Sequence, residues 1–296
     1  MAEPTLSSAD EFIEQKLHEG IRRIEELFTA DAICFNGPIL FGIDDSLRTV
    51  VEKKSSQDGK RDTLVVILTT TGGYIEVVHR IVATFRKHYN LVDFIIPNYA
   101  YSAGTVLAMS GDAIHMDYYS RLGPIDPQIE TGRGRGVSAL GYVERYNDLI
   151  KKSQEGKIST AETQLMIHGF DQGELYAWEQ ARELSITLLK EWLVNYKFKN
   201  WKKTTTRKKR VTEAMKRARA ANIAKELNNT RKWHVHGHGI SMDVLDRILR
   251  LQIDDLEKNP ERRDAVKQYH DLFTDYMAKT GTKAAIHIAG EYRRTY

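Results

Sequence analysis

Polar and apolar positions change rhythm several times along the chain, and each rhythm predicts an element. Ile13, Leu17, Ile24, Leu27 and Phe28 recur at helical spacing behind Ser8 and Glu11, which read as a capping box. One amphipathic helix is therefore expected over 9–29. AICFNGPI (32–39) reads as a short buried strand, and 44–54 as a helix running into a polar loop. TLVVILTT (63–70) is continuously apolar and β-branched, the pattern of a strand covered on both faces. Two glycines follow, and then Ile75, Val78, Ile81, Val82 and Phe85 mark a helix over 74–89. VDFIIP (92–97), the small-residue helix AGTVLAMSG and DAIHMDYY (112–119) continue the alternation. Strands and helices joined this tightly predict a right-handed, largely parallel α/β unit.

Beyond Gly141 the pattern turns helical to about Asn195, with Trp178, Leu184, Leu188, Leu189 and Trp192 on one stripe. KRVTEAMKRARAANIAKEL also has helical composition, and MDVLDRILRLQ reads as a short helix. The last forty residues are expected to be helical. The chain thus divides into an N-terminal helix (1–30), an α/β core (31–150), a helical region (151–230) and a C-terminal stretch of loop and helices (231–296).

Charge and composition narrow the class. Hydrophobic residues make up 41% of the 296, enough for a sizeable core. Cys34 is the single cysteine, so an internal disulfide and a cysteine-based metal cluster are excluded. No apolar run is long enough to span a bilayer, and the N-terminus lacks a secretory pattern, so a cytoplasmic protein is expected. The net charge of +4 is unevenly spread: 197–219 holds eleven Lys or Arg against Glu213, leaving 33 basic and 39 acidic residues elsewhere. The basicity belongs to one segment and needs a local explanation.

Three features carry candidate chemistry. Gly72-Gly73 follows a buried strand and precedes a helix, where outward-pointing amides can bind an oxyanion. Alone, this pair is equally simple punctuation. Ser102 stands one βα unit later at the start of another helix, flanked by Ala103-Gly104, small enough to admit a substrate. Its plain alternative is an N-cap. GPIDPQ (123–128) fixes a rigid loop after the third strand, or is merely a tight connection.

Taken together and in order, TTTGGYIEVVHRI, YAYSAGTVLAMSGDAIHMD and SRLGPIDPQI resemble the Clp protease proteolytic subunit and signal peptide peptidase A. The likeness is nearest to their relatives, the serine dehydrogenase proteinase family of Clp-class serine proteases. It covers 63–129 and resumes in ARELSITLLKEWL and KWHVHGHGIS. The resemblance implies an α/β fold built as a Clp/crotonase-like superhelix of ββα units, with helical additions at both ends. It also implies a serine endopeptidase acting on peptide or unfolded-protein segments, self-assembly into a homo-oligomer, and no cofactor. Position by position it makes Ser102 the nucleophile and the amides of Gly73, Ala103 and possibly Gly72 the oxyanion hole.

The general base stays open. Clp subunits carry a histidine in the segment matching SRLGPIDP, where this chain has Ile125 and Asp126. Signal peptide peptidase A uses a lysine after the serine, and Lys151, Lys152 and Lys157 fall in that region. Such a lysine must be desolvated to act as a base. His236, in WHVHGHGI, is the alternative as base or structural histidine. The alternating His234, His236 and His238 lack the further ligands zinc needs, so no metal site is expected. KFKNWKKTTTRKKR can bind nucleic-acid phosphates or an acidic partner, or be a solvated face. Two other functions compete: a non-catalytic scaffold of the same fold that binds peptides or a partner, and an acyl-CoA enzyme that uses the oxyanion hole without calling for a serine at 102.

Overall fold

Strand β2 (Thr63–Thr69) sets the architecture, because its side chains alternate into two separate cores. Leu64, Val66 and Leu68 enter one core, while Val65 and Ile67 enter the other. Its neighbour β1 (Asp31–Asn36) divides the same way, with Ile33 and Phe35 on one face and Ala32 and Cys34 on the other. A sheet centred on such strands has to be covered by helices on both sides. The computed structural model shows that three-layer arrangement, and it describes residues 7–125, 128–130, 136–204, 206, 208–229, 233 and 239–295.

The central sheet has seven strands. From one edge they are β10 (Asp254–Asp255), β5 (Ala113–Met116), β3 (Leu91–Ile96), β2, β1, β11 (Ala285–Ile288) and β12 (Glu291–Arg294). The five from β10 to β1 run parallel, and β11 and β12 are antiparallel additions. One face is covered by α2 (Ile43–Ser55), α3 (Ile75–His88), α4 (Ala103–Met109), α7 (Gln172–Trp192) and α8 (Glu213–Leu227). The other is covered by α1 (Ser8–Phe28), packed along α10 (Pro260–Thr280). Beside the main sheet, β4 (Tyr99–Ala100), β6 (Arg121–Leu122) and β9 (Ile240–Ser241) form a small second sheet, β7 (Gln128–Glu130) pairs with β8 (Gly136–Ser138), and a short α9 (Met242–Arg247) follows β9.

Three expectations are corrected. The α1 cap is Ser7, not Ser8: the Ser7 side chain accepts the Asp10 N–H, and the Ser7 hydroxyl donates to the Asp10 carboxylate at 2.7 Å. The first strand stops at Asn36, since Gly37 turns the chain with a φ of 147°. The last forty residues are not all helical. After α10 the chain turns at Gly281 and lays β11 and β12 onto the core sheet, joined at Gly290 with a φ of 93°. The short AAIHI run pairs with β1 and is fully buried, so tertiary pairing decides its state.

The basic segment also departs from a helical face. A π-helical turn, Leu193–Lys197, ends α7, and the chain then folds back on itself with Lys203 opposite Arg210. Helix α8 begins after Thr212, which caps it by accepting the Met215 N–H. Among the described residues, no helix is long and apolar enough to cross a membrane.

Candidate active site

Parallel strands β2 and β3 end side by side, and ligands of open α/β sheets bind at such carboxyl ends. The turn after β2 and the turn after β3 are built into each other here. Thr70 pairs with Ala100 in an isolated bridge: its N–H donates to Tyr99 O and its carbonyl accepts the Tyr101 N–H, both at 3.0 Å. On the other side, Ile39 bridges Gly73, its N–H donating to Gly72 O at 2.8 Å while its carbonyl accepts the Tyr74 N–H at 2.9 Å.

Glycine is required where these turns touch. Gly72 has a φ of 98°, and a Cβ there would lie 2.6 Å from Tyr101 O and 2.8 Å from Ser102 Cβ. A Cβ on Gly104 would lie 2.3 Å from the Thr70 methyl. Gly72 and the serine turn are thus in van der Waals contact through bare backbone, while Gly73 lies against Ile39.

Ser102 occupies the first central position of a turn closed by the Gly104 N–H donating to Tyr101 O at 2.8 Å. Its φ of 53° and ψ of −122° are those of a type II′ turn, which strongly favours glycine at that position. A side chain held there costs on the order of 1–3 kcal/mol and persists only where the surroundings over-determine it. Ser102 precedes α4 but makes no side-chain cap bond to it, and it is 7% exposed. An ordinary N-cap serine has extended backbone and accepts a bond from the helix. The cap alternative is therefore not what this residue does.

The third motif joins the same point. Thr105, fully buried, donates to Ala100 O at 2.8 Å or Gly123 O at 2.9 Å, and accepts the Gly123 N–H at 3.0 Å. The Gly123 N–H also reaches Ala100 O at 3.1 Å. Two residues on, the Ile125 N–H donates to Leu227 O, tying the loop to the end of α8. Burial raises the Tyr101 hydroxyl above its ordinary pKa, and the Tyr99 ring stacked 4.9 Å away adds to the effect. Sequence reasoning missed Thr70 and Thr105, although TT at the end of an apolar run and a threonine three residues after the serine were the available signals.

The amides sort themselves by partner. Gly72 N–H donates to Thr70 Oγ1 at 3.0 Å. Among the described residues, the Gly73 and Ala103 N–H groups have no acceptor. On the chain just after Gly73, the rings of Tyr74 and Phe41 pack 4.5 Å apart and are 48% and 61% exposed, an apolar shelf.

The candidate lysines lie on a different part of the chain. Helix α5 (Ala139–Gln154) packs on α6 (Thr160–His168) and α7, and carries Lys151 and Lys152 in its last turn. Lys152 pairs with Glu162 at 2.6 Å and Lys157 with Glu155 at 2.9 Å, and the two lysine side chains are 44% and 73% exposed. Lys151 is exposed. The Lys152 bond, ahead of the Ser159 backbone, holds the Glu162 carboxyl down to about 2. Asp126 and the three histidines of WHVHGHGI, His236 included, lie outside the described residues. A cavity of about 570 Å³ opens at the β5–β10 edge between His115, Asp246, Asp254 and Arg262, and none of the serine turn lines it.

Comparison with known proteins identifies the family. Residues 15–213 match the ClpP-like SDH-type serine proteinases. The chain belongs to that family. Two Methanocaldococcus jannaschii proteins, uncharacterized protein MJ1495 and uncharacterized protein MJ0137, are 34% identical over 116 residues and 38% identical over 64. The matches cover 37% and 22% of this chain, and only 38% and 22% of those relatives' own lengths. Among solved structures, a lysine-to-alanine mutant of the 1510-N membrane-bound stomatin-specific protease in complex with a substrate peptide is 13% identical, with a TM-score of 0.45, over 89% of this chain and 84% of that one. ClpP1 from Listeria monocytogenes, as an asparagine-to-aspartate mutant, is 14% identical with a TM-score of 0.28, over 37% of this chain and 58% of that one.

Proposed function

We propose that the chain is a serine endopeptidase in which Ser102 Oγ attacks the scissile carbonyl of a peptide or unfolded polypeptide. The observation that carries this is the backbone of Ser102, a glycine-type turn occupied by a serine with no capping role. The Gly73 and Ala103 N–H groups receive the tetrahedral oxyanion, and Gly72, its N–H already engaged by Thr70, supplies the close approach. A general base takes the Ser102 proton as the acyl bond forms, and returns it to the leaving amine; water then attacks the acyl-enzyme and regenerates the serine. The base is drawn from Lys151, Lys152, Lys157 and His236. A lysine in that role requires α5 to close over Ser102 and shed its solvent, which assembly of copies into a homo-oligomer can provide. The Phe41–Tyr74 shelf favours apolar side chains near the cut. The crotonase-like description of the fold and a cytoplasmic setting belong to the same proposal.

Labelling with a fluorophosphonate probe, read by intact mass, tests it. One adduct on the wild type and none on Ser102→Ala is the expected result. A second reading, a non-catalytic peptide-binding scaffold, is favoured by the solvated pairs that hold Lys152 and Lys157. It predicts no adduct on either protein, with peptide binding retained.

A further inference from the structure

Thr70 is the residue through which the two halves of the site touch. It is 1% exposed and makes three separate connections. Its backbone pairs with Tyr99 and Tyr101, on the chain leading into Ser102. Its methyl lies where a Cβ on Gly104 would sit. Its hydroxyl oxygen, 3.0 Å away, accepts the Gly72 N–H.

The hydroxyl contact has a chemical consequence. Gly72 and Gly73 are adjacent amides in a turn of unusual φ, 98° and 151°, and glycine peptides rotate easily because no Cβ restricts them. A turn with two free amides can present either one to an oxyanion. Accepting the first removes it from use and fixes the peptide between Thr71 and Gly72, which leads into the second. Ile39 holds the carbonyl of the peptide between Gly72 and Gly73 and the N–H of the peptide after it, leaving the Gly73 N–H, among the described residues, as the unengaged donor of this turn.

We infer that Thr70 is a positioning residue of this site, its hydroxyl sequestering the Gly72 N–H so that Gly73 alone serves as the oxyanion donor on that turn. The inference rests on the reading of Ser102 as nucleophile and adds what selects the donor. Without the hydroxyl, the Gly72 N–H is a buried donor lacking its acceptor, and the turn relaxes to satisfy it at the expense of the Gly73 direction.

The test is the rate of fluorophosphonate labelling of Ser102 in Thr70→Val, which removes the hydroxyl and keeps the methyl, Thr70→Ser, which does the reverse, and Thr69→Val. Thr69 is the matched control: equally buried, one residue earlier, with its hydroxyl 3.0 Å from His270 Nε2 in place of the site. Outright loss of an oxyanion donor slows catalysis by about a hundred- to a thousandfold. For a misdirected donor we expect T70V to label about ten- to a hundredfold more slowly, through the maximal rate and not probe affinity, while T70S and T69V stay within about threefold of wild type. Wild-type labelling speed in T70V overturns the inference. So does T70S as slow as T70V, since a retained hydroxyl would then rescue nothing, and so does T69V as slow as T70V, since general loosening would be the cause. Should T70V fold poorly, Thr70→Ala is read against T70S in its place. An unlabelled wild type defeats the peptidase reading first, and this inference with it.

Discussion

The turns around Ser102 and the helix that carries the lysines are held by opposite means. At the serine, backbone meets backbone: Gly72 lies against Ser102, Gly104 against Thr70, and buried threonine hydroxyls join the turns. Around Lys151 and Lys152, side chains meet water and one another, and exposed ion pairs of this sort contribute about 0–1 kcal/mol. The first arrangement tolerates almost no change; the second tolerates a great deal. A nucleophile and oxyanion donors must be preorganised to help, and the proposed ones sit on turns fixed by backbone contacts. A base has to arrive with its solvent removed, and Lys151, Lys152 and Lys157 still have theirs.

One labelling assay applied to both regions gives the largest contrasts. Gly72→Ala should abolish labelling of Ser102, because its Cβ meets backbone 2.6 Å away at a φ that alanine resists. It should also lower stability by at least about 2 kcal/mol, adding the left-handed cost to overpacking. A G72A protein that labels normally would mean the two turns are looser than their contacts imply. Next come Lys151→Met, Lys152→Met, Lys157→Met and His236→Gln. One of the four should slow labelling by about 10²–10⁴, the usual share of a general base, with the other three within about threefold. Loss at Lys151 or Lys152 shows that the end of α5 reaches the serine. Loss at none of the four removes the peptidase mechanism and leaves the scaffold reading.

Much of this division was legible in the sequence. The continuous run TLVVILTT gave a strand buried on both sides, and the order of GG, Ser102 and GPID placed three turns at one end of the sheet. What could not be read was which amide does what, because that depends on Thr70 Oγ1 reaching forward two residues to Gly72. The strained φ of Ser102 was equally hidden, since a serine before a small-residue helix reads as a cap until its dihedrals are known. The C-terminal strands were missed for a different reason. AAIHI is short and follows a long helix, and only β1 tells it to be extended.

The layer behind the sheet gives a smaller effect with a definite sign. His287 is fully buried between His18, 2.8 Å from its Nε2, and the Tyr269 hydroxyl, 2.7 Å from its Nδ1. Burial first, and then the neighbouring His18, lowers its pKa from 6.5 to about 3. Burial lowers that of His270 as well. A depressed histidine favours the neutral folded form, so the unfolded chain takes up the proton first as pH falls. The stabilisation is complete above about 6.5 and is lost progressively below it, towards about 3 for His287. Between pH 6.5 and 5, urea denaturation should show a loss of about 2 kcal/mol for one such histidine, at roughly 1.4 kcal/mol per unit. Stability unchanged across that interval would mean that the histidines ionise inside the fold.

The smallest effect belongs to the basic fold-back, where the exposed region has kept an arrangement that works against its own stability. Lys203 and Arg210 face each other across the bridge, and the Thr204 N–H donates to Lys209 O while the Val211 N–H donates to Lys202 O. Like charges directly opposite on paired strands are destabilising. Lys202, Lys203, Lys208, Lys209 and Arg210 are all exposed. Lys203→Glu turns the opposed cations into an opposite-charge pair and should raise stability by about 0.2–1 kcal/mol, a gain that shrinks as salt screens it. If the segment docks a polyanion, by the reading that an acidic partner meets it, the same change should weaken that docking while stabilising the chain alone. Gain in stability with loss of binding is the signature of charge kept for a partner. Gain without loss reduces the segment to a solvated face, and leaves the serine turns as the one region whose strain has a use.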